Sequence, residues 1–171
     1  MVGAGHAGVE AAKIASKTGC KVSLVTMDKK SIGRMSCNPA IGGVAKGQIV
    51  REIDILGGLM AKTTDVSGLQ FKILNKSKGR SVWSPRAQVD KRVYEQTISK
   101  AILSDKNITI VEGEATSLMV KNNSVCGVVL RNEEKVFSNS VIITCGTFLS
   151  GVIHIGDRKI KSKLLVKDSF K

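Results

Sequence analysis

The chain has 171 residues, 42% of them hydrophobic, which is enough to bury the core of one ordinary domain without metal or disulfide staples. Lys and Arg number 27 against 14 Asp and Glu, a formal net charge of +13 that favours polyanionic partners such as nucleic acid or cofactor phosphates. Four scattered cysteines (Cys20, Cys37, Cys126, Cys145) without a C-x-x-C pair or a histidine cluster suggest neither a zinc site nor a disulfide framework, and fit a reducing compartment.

The first element is a glycine turn, Gly3-Ala4-Gly5-His6-Ala7-Gly8, which leads into an alanine-rich helix over residues 9–17 closed by Gly19. Residues 21–26 are β-branched and apolar and read as a buried strand. A turn of this kind hangs from the carboxyl end of a sheet strand, and only Met1 and Val2 precede it, so the central strand is expected to be clipped by a late start or by fragmentation. Residues 31–47 read as loop. A helix is expected over residues 48–60, with Ile49, Ile53, Leu56 and Met60 on one face and Gly57-Gly58 ending it.

Residues 69–74 alternate as a strand, residues 75–85 form a basic, turn-rich loop, and residues 88–103 give a long helix with Val89, Val93, Ile98 and Ile102 near one face. Strands at 108–111, 115–120 and 124–131, the last two joined by a tight turn at Lys121-Asn122-Asn123-Ser124, predict an antiparallel meander. An apolar run at 140–144 closes on Cys145-Gly146-Thr147. The longest apolar stretch, residues 141–155, is too short and too polar to span a bilayer, and no signal peptide is expected at the start.

In Gly3-x-Gly5-x-x-Gly8 the first glycine permits the tight turn and the second lets backbone approach a pyrophosphate. The third lets helix pack on strand, and the helix amino end offers free N–H groups to phosphate. Asp28 stands about twenty residues past Gly8, where an acid commonly accepts from a ribose; it equally opens the polar turn Asp28-Lys29-Lys30. The run 141–147 resembles the strand and glycine turn by which two-domain flavoproteins return to their FAD-binding sheet. The whole order predicts an α/β fold: a Rossmann-like FAD-binding domain with parallel sheet, helices and an antiparallel β-meander.

The loop Gly33-Arg34-Met35-Ser36-Cys37-Asn38-Pro39-Ala40-Ile41-Gly42-Gly43 resembles the long signature of the MnmG (GidA) family of tRNA-modifying flavoproteins. Gly5-His6-Ala7-Gly8-Val9-Glu10, Leu56-Gly57-Gly58-Leu59-Met60, Pro85-Arg86-Ala87-Gln88 and Cys145-Gly146-Thr147-Phe148-Leu149 agree in order and spacing, and the likeness runs from Gly3 to about Gly156. Arg80 and Ser81 depart from it, standing where relatives carry Pro-Ala. Residues 1–156 are then a partial FAD-binding domain, truncated relative to the family, and residues 157–171 a divergent basic tail expected to be poorly ordered.

The resemblance implies FAD bound by Gly3, Ala4, Gly5, His6, Ala7, Gly8, Asp28, Asn38, Ala115 and Gly146. It also implies NADH, a tRNA substrate, an MnmE-type GTPase partner and a homodimer in full-length members, and no metal. The implied compartment is the cytoplasm, or the mitochondrial matrix for organellar counterparts. The implied reaction installs a carboxymethylaminomethyl-type group at C5 of the wobble uridine, although this chain alone is expected to be incomplete for it. Cys37, between Arg34 and Lys46, is the candidate thiol nucleophile, with packing beside the flavin as the alternative. Cys20, Cys126 and Cys145 read as core. Lys78, Arg80 and Arg86, with Lys72, Lys76 and Trp83 among them, are candidates for nucleic-acid contact. A non-catalytic dinucleotide-binding module and a flavin oxidoreductase of small molecules are the competing readings.

Overall fold

The computed structural model describes residues 1–35, 38–149 and 152–161. The glycine turn opens helix α1 (His6–Lys17), which buries Gly8, Val9, Ala12 and Ser16, a face set by the four-residue spacing of small side chains. Its end is closed by N–H bonds from Thr18 to the Ile14 carbonyl and from Gly19 to Ser16, with Gly19 at φ +88°. Strand β1 (Val22–Thr26) follows as expected.

The interval 31–47 is less irregular than the glycines suggest, because it holds a short strand, β2 (Ala40–Gly42), and helix α2 (Lys46–Ile55) begins earlier than the apolar spacing indicates. Gly57-Gly58 does end that helix, but a second one, α3 (Met60–Ser67), starts at once. Its buried face is Met60, Thr63, Thr64 and Ser67. Thr64 and Ser67 donate back to the carbonyls of Met60 and Thr63, so polar side chains line a buried surface with their hydroxyls satisfied inside the helix.

Strand β3 (Gly68–Leu74) pairs antiparallel with β4 (Ser84–Val89), which occupies residues assigned from sequence to loop and helix. β4 is central in the order β2-β4-β3, and Pro85 is tolerated there because its pairing with β2 stops at Arg86. The long helix α4 (Lys91–Leu103) therefore starts after Val89, capped by Asp90, whose carboxylate accepts from Arg92 and Val93 N–H groups. Tyr94, Ile98 and Ile102 are its fully buried face, whereas Val93 is part-exposed. Burying each of those three stabilises the fold by roughly 1.5–3 kcal/mol.

Strand β5 (Ile108–Glu112) pairs in parallel with β1, Val22 opposite Ile108. Val2 bridges in parallel to Val25 on one side and Ile143 on the other, giving the order β5, β1, Val2, Ile143 in one parallel sheet. This is a Rossmann-like order, with its reversal between Val2 and Ile143. The meander β6 (Ala115–Lys121), β7 (Ser124–Leu130) and β8 (Lys135–Phe137) packs beside it through Val2, Val25, Ala115, Val128 and Leu130. Asn122 and Asn123 both take positive φ, +51° and +60°, as a two-residue type I′ hairpin turn needs. Strands β9 (Val152–Ile155) and β10 (Arg158–Lys161) form a terminal hairpin reaching past Gly156; residues 162–171 lie outside the described residues.

Asp105 ties α1 to the entry of β5. Its carboxylate accepts from Lys13 Nζ at 2.6 Å, Ser16 Oγ at 2.7 Å and the Asn107 N–H at 3.0 Å. The Lys13 and Ser16 hydrogen bonds lead in holding its pKa down at about 2, against an ordinary 3.8. A depressed carboxylate contributes stability that is present above the unfolded value and is lost as pH falls through the folded one. The melting temperature of the parent is therefore expected to exceed that of Asp105→Asn at pH 5, and the gap to close between about pH 4 and pH 2. A gap unchanged at pH 2 would show that the ionised carboxylate contributes nothing.

Candidate functional site

The parallel sheet brings the glycine turn to the carboxyl end of Val2, at the point where strand order reverses. Three glycines there meet three different surroundings. Gly3 has φ +99°, and a Cβ on it would lie 2.7 Å from the Thr144 carbonyl oxygen. A Cβ on Gly8 would lie 1.8 Å from the Gly3 carbonyl oxygen and 2.8 Å from Thr144 Oγ1. A Cβ on Gly5 would meet nothing within 4 Å. Two glycines thus let backbone pack on backbone, while the middle one, exposed, borders open space.

That space faces the amino end of α1. No side chain caps Gly5, and no acidic residue occupies the first turn, so the dipole and N–H groups of the helix are left for an outside acceptor. Thr144 fixes the turn from the neighbouring strand: its Oγ1 donates to the Val2 and Gly3 carbonyls at 2.9 and 3.0 Å, and its N–H to Val2 at 2.8 Å. Ala4 is buried, and its carbonyl accepts from the Gly33 N–H, which docks the start of the signature loop on the turn.

His6 and Ala7 stand at the first turn of α1, Ala7 exposed and His6 half-buried. The His6 ring meets Tyr94 edge-on, centroids 5.7 Å apart, and His6 Nε2 and Tyr94 Oη are both buried without a hydrogen-bond partner. Burial first, then the charge of Lys46, lowers the His6 pKa. Tyr94 is pushed above the ordinary tyrosine range by burial and by the charge of Glu10. The Glu10 carboxylate, itself buried, accepts from the Leu59 and Met60 N–H groups and so caps α3 from the fingerprint helix.

Asp28 lies exposed just beyond β1. Its Oδ1 accepts from the Lys30 N–H at 2.8 Å, which makes it the cap of the turn Lys29–Ser31. Ala115 is buried beside Val2 and Val25, and Gly146 begins a turn just after Thr144 with φ +57°. Asn38 is exposed at the mouth of β2. Cys37, the candidate nucleophile, and Ser36 lie outside the described residues. Burial raises the thiol pKa of Cys145, which packs against Val2, and Cys126 is half-buried in β7. Cys20, expected in the core, is instead exposed, because its turn projects beyond the end of α1.

A groove of about 600 Å³ runs beside β2, β3 and β4, lined by Arg51, Lys72, Lys76 and Arg86, with Asp65 as its acid. Arg86 sits opposite Gly42 in the β2–β4 register, and Gly43 N–H bonds the Pro85 carbonyl at 2.8 Å, so this groove adjoins the signature loop directly. Lys78 and Arg80 lie at the tip of the β3–β4 connection, Arg80 with its guanidinium 5.8 Å from the Trp83 ring centroid. Among the described residues no group of three or more His, Cys, Asp or Glu could hold a metal ion, and no helix is long and apolar enough to cross a membrane.

The family model described as glucose inhibited division protein A matches residues 1–168. The chain belongs to this family. A tRNA uridine 5-carboxymethylaminomethyl modification enzyme MnmG of Endomicrobium trichonymphae is 51% identical over 91% of the chain, and its counterpart in Chlorobium phaeobacteroides 53% over 91%. The chain spans about a quarter of the length of these curated relatives, 26% and 25%. A crystal structure of Aquifex aeolicus GidA superposes with a TM-score of 0.86 at 48% identity, covering 93% of this chain and 26% of that one. A GidA-related protein of Thermus thermophilus shares the fold at a TM-score of 0.63 and 16% identity, over 92% of this chain and 56% of its own.

Sequence reasoning missed Glu10, Tyr94, Thr144 and Arg51 as parts of this region. The signals were present for two of them: an acid inside an otherwise small and apolar helix face, and a hydroxyl residue placed just before a glycine turn. Tyr94 and Arg51 became assignable only once α4 and α2 were placed.

Proposed function

We propose that the chain is the FAD-binding part of a tRNA-modifying flavoprotein that installs a carboxymethylaminomethyl-type group at C5 of the wobble uridine. The observation that carries the reading is the open space at Gly5, before an uncapped helix amino end, in a turn whose other two glycines are closed by backbone. Gly3, Ala4, Gly5, His6, Ala7 and Gly8 would receive the diphosphate. Asp28 would reach a ribose, and Asn38, Ala115 and Gly146 would border the cofactor. Similarity to tRNA uridine 5-carboxymethylaminomethyl modification enzymes supports the tRNA substrate.

Bound FAD would supply the redox chemistry and help deliver the one-carbon unit. The chain's own contribution at the reacting base would be the Cys37 thiolate, which adds at C6 of uracil and pushes electron density onto C5. Lys78, Arg80 and Arg86 would hold the tRNA backbone beside the signature loop. NADH, an MnmE-type GTPase, a homodimer and a cytoplasmic location complete the reading for the full-length protein.

In a full-length relative, alanine at the position of Cys37 is expected to leave flavin bound while the modified wobble nucleoside disappears from tRNA hydrolysates. Ordinary nucleoside levels would remove the thiol from the mechanism.

A further inference from the structure

The β3–β4 connection carries a feature that charge alone does not require. Trp83, the chain's single tryptophan, keeps 38% of its surface exposed although it sits in a firmly bonded loop. Its indole N–H donates to the Lys76 carbonyl at 3.3 Å, its backbone N–H to Arg80 at 3.2 Å, and its carbonyl accepts from Gln48 Nε2 at 3.5 Å. Asn75 Nδ2 donates to the Val82 carbonyl at 3.3 Å, closing the loop across its base. Arg80, one of the departures from the family pattern, lays its guanidinium against the ring. The indole is thus held in one orientation and backed by a cation before any partner arrives, so little ordering entropy remains to oppose binding.

The groove continuous with this loop has the charge of a backbone track. Arg51, Lys72, Lys76 and Arg86 form no ion pair among the described residues, and one acid, Asp65, stands among them. Phe71 and Ile73 add apolar surface to the same lining. Cations lining a groove, one of them Lys76 whose carbonyl accepts from the Trp83 indole, match single-stranded nucleic acid, whose phosphates and base faces present the complementary chemistry.

We propose that Trp83, backed by Arg80, is a stacking platform for one unpaired RNA base, with the adjoining phosphates lying along the Arg51, Lys72, Lys76 and Arg86 groove. This rests on the tRNA reading above and specifies where an unstacked base is received. A loop nucleotide delivered to this ring would be anchored three residues before Arg86, which stands opposite Gly42 of the signature loop.

The sole tryptophan supplies its own reporter. Titrating the chain with a short oligouridylate is expected to quench Trp83 emission, whereas polyphosphate and polyglutamate of matched charge bind the groove and leave emission unchanged. Trp83→Leu is expected to weaken oligouridylate binding about tenfold or more, the equivalent of one base–aromatic stack, with the salt dependence unaltered. Trp83→Phe restores most of that loss, and Arg86→Ala instead lowers the salt slope by about 1. Thermal melts of each variant that match the parent keep folding out of the comparison.

Oligouridylate that binds without quenching, or that binds Trp83→Leu as tightly as the parent, overturns the platform. Equal quenching by polyglutamate also overturns it, in favour of an acidic peptide. A colourless chain that still shows the RNA-specific quench sustains the platform while removing the flavin, and a flavin-bound chain without the quench removes the platform alone.

Discussion

Gly8→Ala is expected to lose about 3 kcal/mol or more of stability, although alanine is the better helix former by about 1 kcal/mol. The added methyl would have to occupy a point 1.8 Å from the Gly3 carbonyl oxygen, and that oxygen cannot retreat because Thr144 Oγ1 is bonded to it at 3.0 Å. The clash is with backbone at the junction of α1 and the parallel sheet, so relief requires the helix to lift from the sheet and expose Val9 and Ala12, both now fully buried. Urea unfolding measures this as a lowered midpoint with an unchanged slope. A variant within 1 kcal/mol of the parent would show that the turn yields more easily than its contacts indicate.

Gly5→Val is expected to behave in the opposite way. Its Cβ meets no atom within 4 Å and its φ of −71° suits any residue, so the fold should lose only the modest cost, about 1 kcal/mol, of a poor helix cap. The valine would instead project into the space proposed for the cofactor diphosphate and cover the helix N–H groups. Where the parent chain carries the yellow absorbance of oxidised flavin through gel filtration, the variant is expected to elute colourless, a drop in affinity of at least about a hundredfold. Flavin retention equal to the parent's would falsify the placement of the diphosphate. Together the two variants separate a glycine required by packing from one required by binding.

The glycine turn was legible in the sequence because its demand is steric and local: the spacing of three residues without side chains states which backbones must approach. The tight turn over residues 121–124 was legible from its composition, and the structure makes Asn122 and Asn123 the two positive-φ residues of a type I′ turn there. Helix α3 was not, because apart from Met60 its inward face is Thr63, Thr64 and Ser67, which count as polar in any periodicity, and the hydroxyls of Thr64 and Ser67 are buried by bonding their own helix. Strand β4 was hidden by Pro85 and Arg86, residues that argue for loop until a short partner strand is seen to stop beside them. At the site, the residues in the turn could be named in advance, but the clamp of Thr144 could not, because 142 positions separate it from Val2.

That long separation governs the order of events during synthesis. A nascent chain that has emerged only as far as the meander already holds every glycine of the fingerprint, but not the hydroxyl that draws the carbonyls of Val2 and Gly3 together. The turn is therefore clamped only once Thr144 has been made, 142 positions after the Val2 carbonyl that it holds. Closure of the sheet at Ile143 and clamping of the glycine turn by Thr144 become one event.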